Sequence, residues 1–80
     1  MRLDKYLKVS RLIKRRAVAN EACDSSYVTA NGREVKASYQ VKPGDVLGIA
    51  FGNRHVKVRV LSVDEKTTKA HSGEMYEFIE

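Results

Sequence analysis

The apolar positions in the first third of the chain recur at the spacing of an α-helix. Leu3 and Leu7 lie four residues apart, as neighbours on one helix face do. This pattern predicts a first helix over residues 3–13, with a break near Ser10. A second helix is predicted over residues 14–24, where pairs of small apolar residues recur at intervals of four. No Ser, Thr or Asp precedes that helix to cap its start.

After the second helix the pattern changes to short strands separated by turns. Asn31-Gly32 is a strong β-hairpin signal because both residues tolerate positive φ. Pro43-Gly44 marks a second turn. The predicted strands cover residues 28–30, 33–35, 46–51 and 56–61. In the last of these, valines alternate with cations, so Lys57 and Arg59 are expected to face solvent.

The last residues give a weaker signal. A short helical turn is predicted over residues 66–72, and a closing strand or helix over residues 75–79. Two helices followed by a small, mainly antiparallel sheet define an α+β fold. We expect residues 1–64 to form one domain, which residues 65–80 close.

Charge is distributed unevenly along the 80 residues. The net charge is +5, from 15 Lys and Arg against 10 Asp and Glu. Residues 1–16 hold seven of these bases and one acid, so they carry +6, whereas the remainder carries −1. A local basic surface predicts contact with phosphate, with an anionic membrane or with an acidic partner.

Other chemistry is sparse. One cysteine and two separated histidines, His55 and His71, predict neither a disulfide nor a metal site, and no cofactor is expected. The histidines are expected at the surface. No signal peptide or membrane-spanning run is recognisable, so we expect a cytoplasmic protein with no membrane partner. The candidate core residues are Tyr6, Cys23, Phe51, Tyr76 and Phe78.

Four blocks of sequence resemble one family. They are MRLDKYL at residues 1–7, RRA at 15–17, VTANG at 28–32 and VKPGDV at 41–46. Their order and spacing are similar to those of the S-four RNA-binding domain, also called the αL motif. The resemblance covers roughly residues 1–50 and implies an αL-type fold in which two N-terminal helices pack on the sheet.

The resemblance also implies a function. The domain begins at Met1 and little follows it, so the chain resembles the stand-alone branch of the family, which includes small ribosome-binding heat-shock proteins and RqcP-like proteins. The strings KRRA and EACD favour the RqcP-like group. Membership implies binding to large-subunit RNA and peptidyl-tRNA during rescue of stalled translation. It also implies an RqcH-type partner that adds alanine tails, and no catalysis by this chain.

The cations of both helices are the candidate RNA contacts, and the hairpin contributes lesser ones. Arginine binds phosphate bidentately and stacks on bases, so Arg2, Arg15 and Arg16 rank above Lys8. Asp4 is expected to cap the first helix or to orient Lys5 or Arg16. The full candidate set is Arg2, Lys5, Lys8, Arg11, Lys14, Arg15, Arg16, Asn31, Gly32, Arg33 and Lys36.

Two positions depart from the family pattern. The family often opens its second helix with Ser or Thr, where Lys14 or Arg15 stands here. It often has Gly two residues before the hairpin block, where Ser26 stands, so the chain must turn there without glycine.

The sequence is also compatible with other functions. The chain is alternatively a protein-interaction adaptor, or an RNA-binding subunit supplied to a separate RNA-modifying enzyme. It has neither a Gly-rich cofactor loop nor a nucleophile–base pair, which argues against an enzyme complete in itself. Duplex DNA is the weakest candidate because the second helix has few residues that read base edges. A monomer is expected.

Overall fold

A computed structural model describes residues 1–63 and 75–79 of the chain. Two short helices precede five strands, which confirms the predicted α+β class. The helices are α1 (Leu3–Val9) and α2 (Arg16–Asp24). The strands are β1 (Val28–Ala30), β2 (Arg33–Glu34), β3 (Val46–Phe51), β4 (Arg54–Val60) and β5 (Tyr76–Phe78). The helical turn predicted over residues 66–72 lies outside the described residues, whereas β5 confirms the closing strand.

Helix α1 ends earlier than the sequence pattern predicts. It stops at Val9, and the backbone N–H of Ser10 donates to the carbonyl of Tyr6 at 2.9 Å. Arg11 then adopts φ = 67°, a left-handed conformation that terminates helices and is usually supplied by glycine. The break predicted near Ser10 is confirmed, and a connector over residues 10–15 joins the two helices.

Helix α2 begins without a capping side chain, as predicted. Arg15 occupies the N-cap position in an extended conformation and makes no side-chain cap. Ala19 and Cys23, four residues apart, are buried against the core, whereas Val18 is half exposed. The helix therefore packs by a narrow stripe of small residues, which lets it approach its neighbours closely.

The end of α2 shows how the chain turns without glycine. The N–H of Tyr27 donates to the carbonyl of Ala22 at 2.9 Å, and that of Ser26 to the carbonyl of Cys23 at 3.2 Å. These two bonds form a Schellman motif, whose left-handed position is usually glycine. Ser26 occupies it with φ = 65°. The turn expected near Ser26 is thus confirmed.

The five strands form one antiparallel sheet in the order β2-β1-β3-β4-β5. Asn31 (φ = 54°) and Gly32 (φ = 82°) form the predicted hairpin turn between β1 and β2. Directly opposed residues share a face of the sheet, and Val58 opposes Phe78 in the β4–β5 pair. β5 is therefore an edge strand that presents Phe78 on the same face as the buried Val58.

The core lies between the helices and one face of the sheet. Tyr6 is fully buried, and its hydroxyl donates to the carbonyl of Met75 at 2.6 Å, which ties α1 to the residue before β5. Cys23 is also buried, so both predictions are confirmed. Burial, followed by the charges of Asp4 and Asp24, raises the pKa of the Cys23 thiol to about 11, which leaves it protonated at neutral pH.

The remaining predictions of buried and exposed side chains are confirmed in part. Lys57, Arg59 and His55 are exposed, as expected. Tyr76 is partly buried against the core. The core assignment of Phe78 is wrong, since 64% of its surface is exposed. The predictions for the Phe51 side chain and for His71 lie outside the described part of the chain. No helix in the described ranges is long and apolar enough to span a bilayer.

Candidate nucleic-acid interface

A buried carboxylate organises the start of both helices. The side chain of Asp4 is 3% exposed and forms ion pairs with Arg2 (Nε–Oδ1, 3.3 Å) and Arg16 (Nε–Oδ2, 3.5 Å). Its Oδ2 also accepts a hydrogen bond from the Asn20 side chain at 3.2 Å, and its Oδ1 accepts one from the Lys5 backbone N–H at 2.8 Å. One carboxylate thus fixes an arginine from just before α1 and another from the first turn of α2.

The contacts around Asp4 keep it ionised. Burial alone would raise its pKa, but hydrogen bonds from Asn20 and Lys5 and the charge and hydrogen bond of Arg16 outweigh burial and lower the pKa. Ionised Asp4 holds both guanidinium groups in place while about half of each arginine side chain, 47%, stays exposed. The Nη2 of Arg2 also donates to the Asp4 Oδ2 at 3.4 Å. Both arginines are therefore held by Asp4 while part of each side chain stays accessible to solvent, and the expectation that Asp4 orients Arg16 is confirmed.

The other N-terminal cations lie on the same two helices and on the connector between them. Lys8 lies on α1, Arg11 and Lys14 on the connector, and Arg15 at the N-cap of α2; all four are exposed. Lys5 is partly buried. We call the set the basic helical surface; its members are Arg2, Lys5, Lys8, Arg11, Lys14, Arg15 and Arg16. Cations clustered in this way along a chain are typical of a surface that binds a phosphate backbone.

The segment before β3 packs against the start of α1. The backbone N–H of Leu3 donates to the Tyr39 carbonyl at 2.8 Å, and that of Asp4 to the Ala37 carbonyl at 3.2 Å. Lys36, which precedes Ala37, is exposed. The structure therefore places this predicted cation in the segment that borders the basic helical surface. Arg33 lies farther along, exposed on β2.

The Asn31 turn is held from within by a second aspartate. Asp45 accepts hydrogen bonds from the Asn31 side chain (3.2 Å), the Tyr39 hydroxyl (2.8 Å) and the Lys42 backbone N–H (3.0 Å). The Asn31 Oδ1 accepts from the Val46 backbone N–H at 3.0 Å. The Asn31 side chain is thus engaged in the turn, and the exposed backbone around Gly32 is the part presented outward.

Sequence reasoning missed two residues that position the candidate contacts. Asn20 reaches Asp4 from α2, and Asp45, the last residue of the 42–45 turn, supports the hairpin. Aspartate after Pro-Gly is a turn signal, but its pairing with Asn31 depends on the β1–β3 register. No cluster of three His, Cys, Asp or Glu residues that could hold a metal occurs in residues 1–63 or 75–79.

Known proteins are similar to this chain in sequence and in fold. A family model described as S4 domain matches residues 1–47. The RQC P-site tRNA stabilizing factor of Bacillus subtilis (strain 168) is 50% identical over 76 residues, which cover 95% of this chain and 88% of that protein. The protein of the same name from Halalkalibacterium halodurans is 49% identical over 77 residues, 96% of this chain and 88% of that protein.

A solved structure supports the fold. The trimeric structure of Heat Shock Protein 15 from Vibrio cholerae superposes with a TM-score of 0.87 at 23% identity and covers 98% of this chain and 80% of that chain. At this identity the likeness concerns the fold alone. The two-helix and sheet architecture, with the match over residues 1–47, defines the chain as an S-four domain protein. Within that class, it belongs to the family of RQC P-site tRNA stabilizing factors. The relatives carry the name of a stabilizing factor and not that of an enzyme.

Proposed function

We propose that this chain is an RNA-binding factor that acts on the large ribosomal subunit in ribosome-associated quality control. The observation that carries the proposal is the Asp4-centred pair of arginines on the basic helical surface. Two guanidinium groups anchored by one carboxylate lose less conformational freedom on binding phosphate than two mobile ones would. The names and high identity of the relatives supply the biological setting.

The chemistry of binding follows from the charges. Folded RNA presents phosphates and 2′-hydroxyls over a shallow minor groove, which suits a convex cationic surface. Arg2 and Arg16 would bind phosphates bidentately, and Lys8 and Lys14 would act as point charges. The exposed backbone around Gly32 would allow a close approach at the edge of the site. All of these are positioning contacts, so the role is to stabilise an arrangement of RNA rather than to change it chemically.

The finer role draws on the family. The chain would bind large-subunit RNA and peptidyl-tRNA in the cytoplasm, as a monomer, and hold the tRNA while an RqcH-type partner adds alanine to the stalled chain. The relatives' names, which refer to a P-site tRNA, support the tRNA part of this role. The partner and the monomeric state are part of the same proposal.

Cosedimentation with purified large subunits, with and without tRNA in the P site, tests the proposal. The wild-type chain should sediment with the tRNA-bearing subunit. Arg16→Ala should weaken binding by about 10- to 150-fold, because a charge-assisted hydrogen bond is worth about 1.5–3 kcal/mol. Arg59→Ala is the matched control, since Arg59 is equally exposed (49%) but pairs with Glu77 on β5.

The outcome is decisive in both directions. Loss on Arg16→Ala with retention on Arg59→Ala, in variants that both remain fully folded at the assay temperature, supports the proposal. Equal binding by both variants and the wild type would contradict it, as would a wild-type chain that binds subunits no better with P-site tRNA than without.

A further inference from the structure

A groove borders the basic helical surface where the helical layer ends over the sheet. It has a volume of about 280 Å³. The connector supplies one wall and strands β4 and β5 supply the floor and the other wall. Its lining residues are Arg11, Leu12, Arg54, Val56, Tyr76 and Phe78.

The register of the sheet explains why this groove exists. Residues at intervals of two share a face, so Arg54 and Val56 lie on the same face as the buried Val58. Phe78 opposes Val58 and lies on that face too. Helix α1 packs over the start of β5, where the Tyr6 hydroxyl donates to the Met75 carbonyl. The groove is thus the uncovered continuation of the face that elsewhere forms the core.

The side chains in the groove combine an aromatic wall with two cations. Phe78 is 64% exposed, and its ring meets that of Tyr76 edge to face, with centroids 5.3 Å apart and planes at 88°. Arg11 and Arg54 are exposed, and no acidic side chain in residues 1–63 or 75–79 pairs with either of them. An exposed aromatic beside two exposed guanidinium groups fits a ligand with a flat ring and a negative charge.

Arg11 connects the groove to the basic helical surface. It projects from the connector at φ = 67°, a strained conformation for a residue with a side chain, and strained positions cluster at binding sites. An RNA strand bound along that surface would reach the groove at Arg11. The charge favours a polyanion, and the open, flat aromatic wall favours a ring that stacks rather than a side chain that needs an enclosing pocket.

We infer that this groove binds one unpaired nucleotide of the RNA, with its base stacked on Phe78 and its phosphates held by Arg11 and Arg54. The inference rests on the proposed function and adds to it. It assigns the strand β5 to RNA recognition and gives the chain a preference for RNA with an unstacked base, a preference that cations alone would not give.

Two RNA hairpins with identical stems test the inference. One is fully paired, and the other contains a single bulged 2-aminopurine, whose fluorescence falls when it stacks. The full chain is titrated against each hairpin at constant salt. Phe78→Ala should weaken binding of the bulged hairpin by about 5- to 100-fold, the effect of losing one base–aromatic stack, and should change binding of the paired hairpin less than twofold.

Three variants control the measurement. Tyr27→Ala removes an equally exposed aromatic (57%) that lines a different groove, and should affect neither hairpin. Phe78→Trp should retain binding and quenching, because it keeps a stacking ring. Arg54→Ala should weaken binding of the bulged hairpin. It should also reduce the steepness of the plot of log binding constant against log salt concentration by about 0.7 to 0.9, as expected for one lost phosphate contact.

The possible failures are distinguishable. Binding of both hairpins without preference or quenching, unaffected by Phe78→Ala, would overturn the nucleotide site and leave the proposed function intact. Binding of neither hairpin, nor of large subunits, would overturn both. If an acidic peptide carrying a leucine bound the wild type but not Phe78→Ala, and the bulge gave no advantage, the groove would be a protein-docking site and the inference would be wrong.

Discussion

At the scale of single residues, Asp4 has the most consequences. Its buried carboxylate joins α1 to α2 and holds two arginines whose side chains remain about half exposed, at 47% each. The same contacts that stabilise the helix pair therefore prepare the candidate interface. This dual role explains why a lone acid belongs in a segment with seven bases.

The stability that Asp4 contributes should depend on pH. Its folded-state pKa is lowered from the ordinary value of 3.8, so the contribution is present above that value and is lost as the pH falls through the folded-state pKa. Asp4→Asn should lower the free energy of unfolding by about 1 to 2 kcal/mol near neutral pH. Urea unfolding between about pH 7 and pH 2 should show the difference from the wild type shrinking in acid.

The control for this prediction is Glu34→Gln, which alters an exposed carboxylate on β2. It should change stability by less than about 0.5 kcal/mol at any of these pH values. In the contrary case, the free energies of unfolding of the wild type and of Asp4→Asn would differ by the same amount down to the lowest pH. That result would show that the charge of Asp4 does not stabilise the fold.

Ser26 gives a second prediction at this scale. A residue with a side chain costs roughly 1–2 kcal/mol in the left-handed region. Glycine avoids this cost but loses more conformational entropy on folding, which cancels part of the gain. Ser26→Gly should therefore raise the free energy of unfolding by about 0.5 to 1 kcal/mol. Ser25→Gly, at a C-cap with φ = −93°, should give no gain. Equal effects in chemical denaturation would contradict the strain at Ser26.

At the scale of elements, the hydrophobic pattern predicted most of the fold. Helices and strands appear where period-four and period-two patterns occur, because each buries one face. The predicted first helix ran four residues too far, since Leu12 and Ile13 continue its apolar pattern into the connector. The helix ends because Arg11 adopts a left-handed conformation. Arginine, unlike glycine, does not signal a positive φ in a sequence, so this end was not predictable.

The hairpin depends on Asp45 from outside its own sequence. Asp45→Ala removes the acceptor of three hydrogen bonds and should destabilise the protein by about 1–3 kcal/mol. The loss should be local at first, so hydrogen exchange should quicken at the amides of Asn31 and Val46 before that of Val58. Asn31→Ala should reproduce the local effect. Uniform acceleration across the sheet would refute this account of the turn.

At the scale of the whole molecule, the sequence predicted the position of the positive charge but not the groove beside it. The +6 of residues 1–16 and the family blocks were enough to select the basic helical surface. The groove was not predictable, because it depends on how far the helical layer extends over the sheet. Phe78 illustrates this: it lies on the apolar face, as its pattern indicates, yet beyond the helices that would bury it.

Cryo-electron microscopy of large subunits purified through this chain tests the central claim most directly. We predict that the basic helical surface faces RNA, with Arg2 and Arg16 within hydrogen-bonding distance of phosphates and still paired to Asp4. A complex in which this surface faces solvent, or contacts only protein, would contradict the claim that the two helices form the RNA interface.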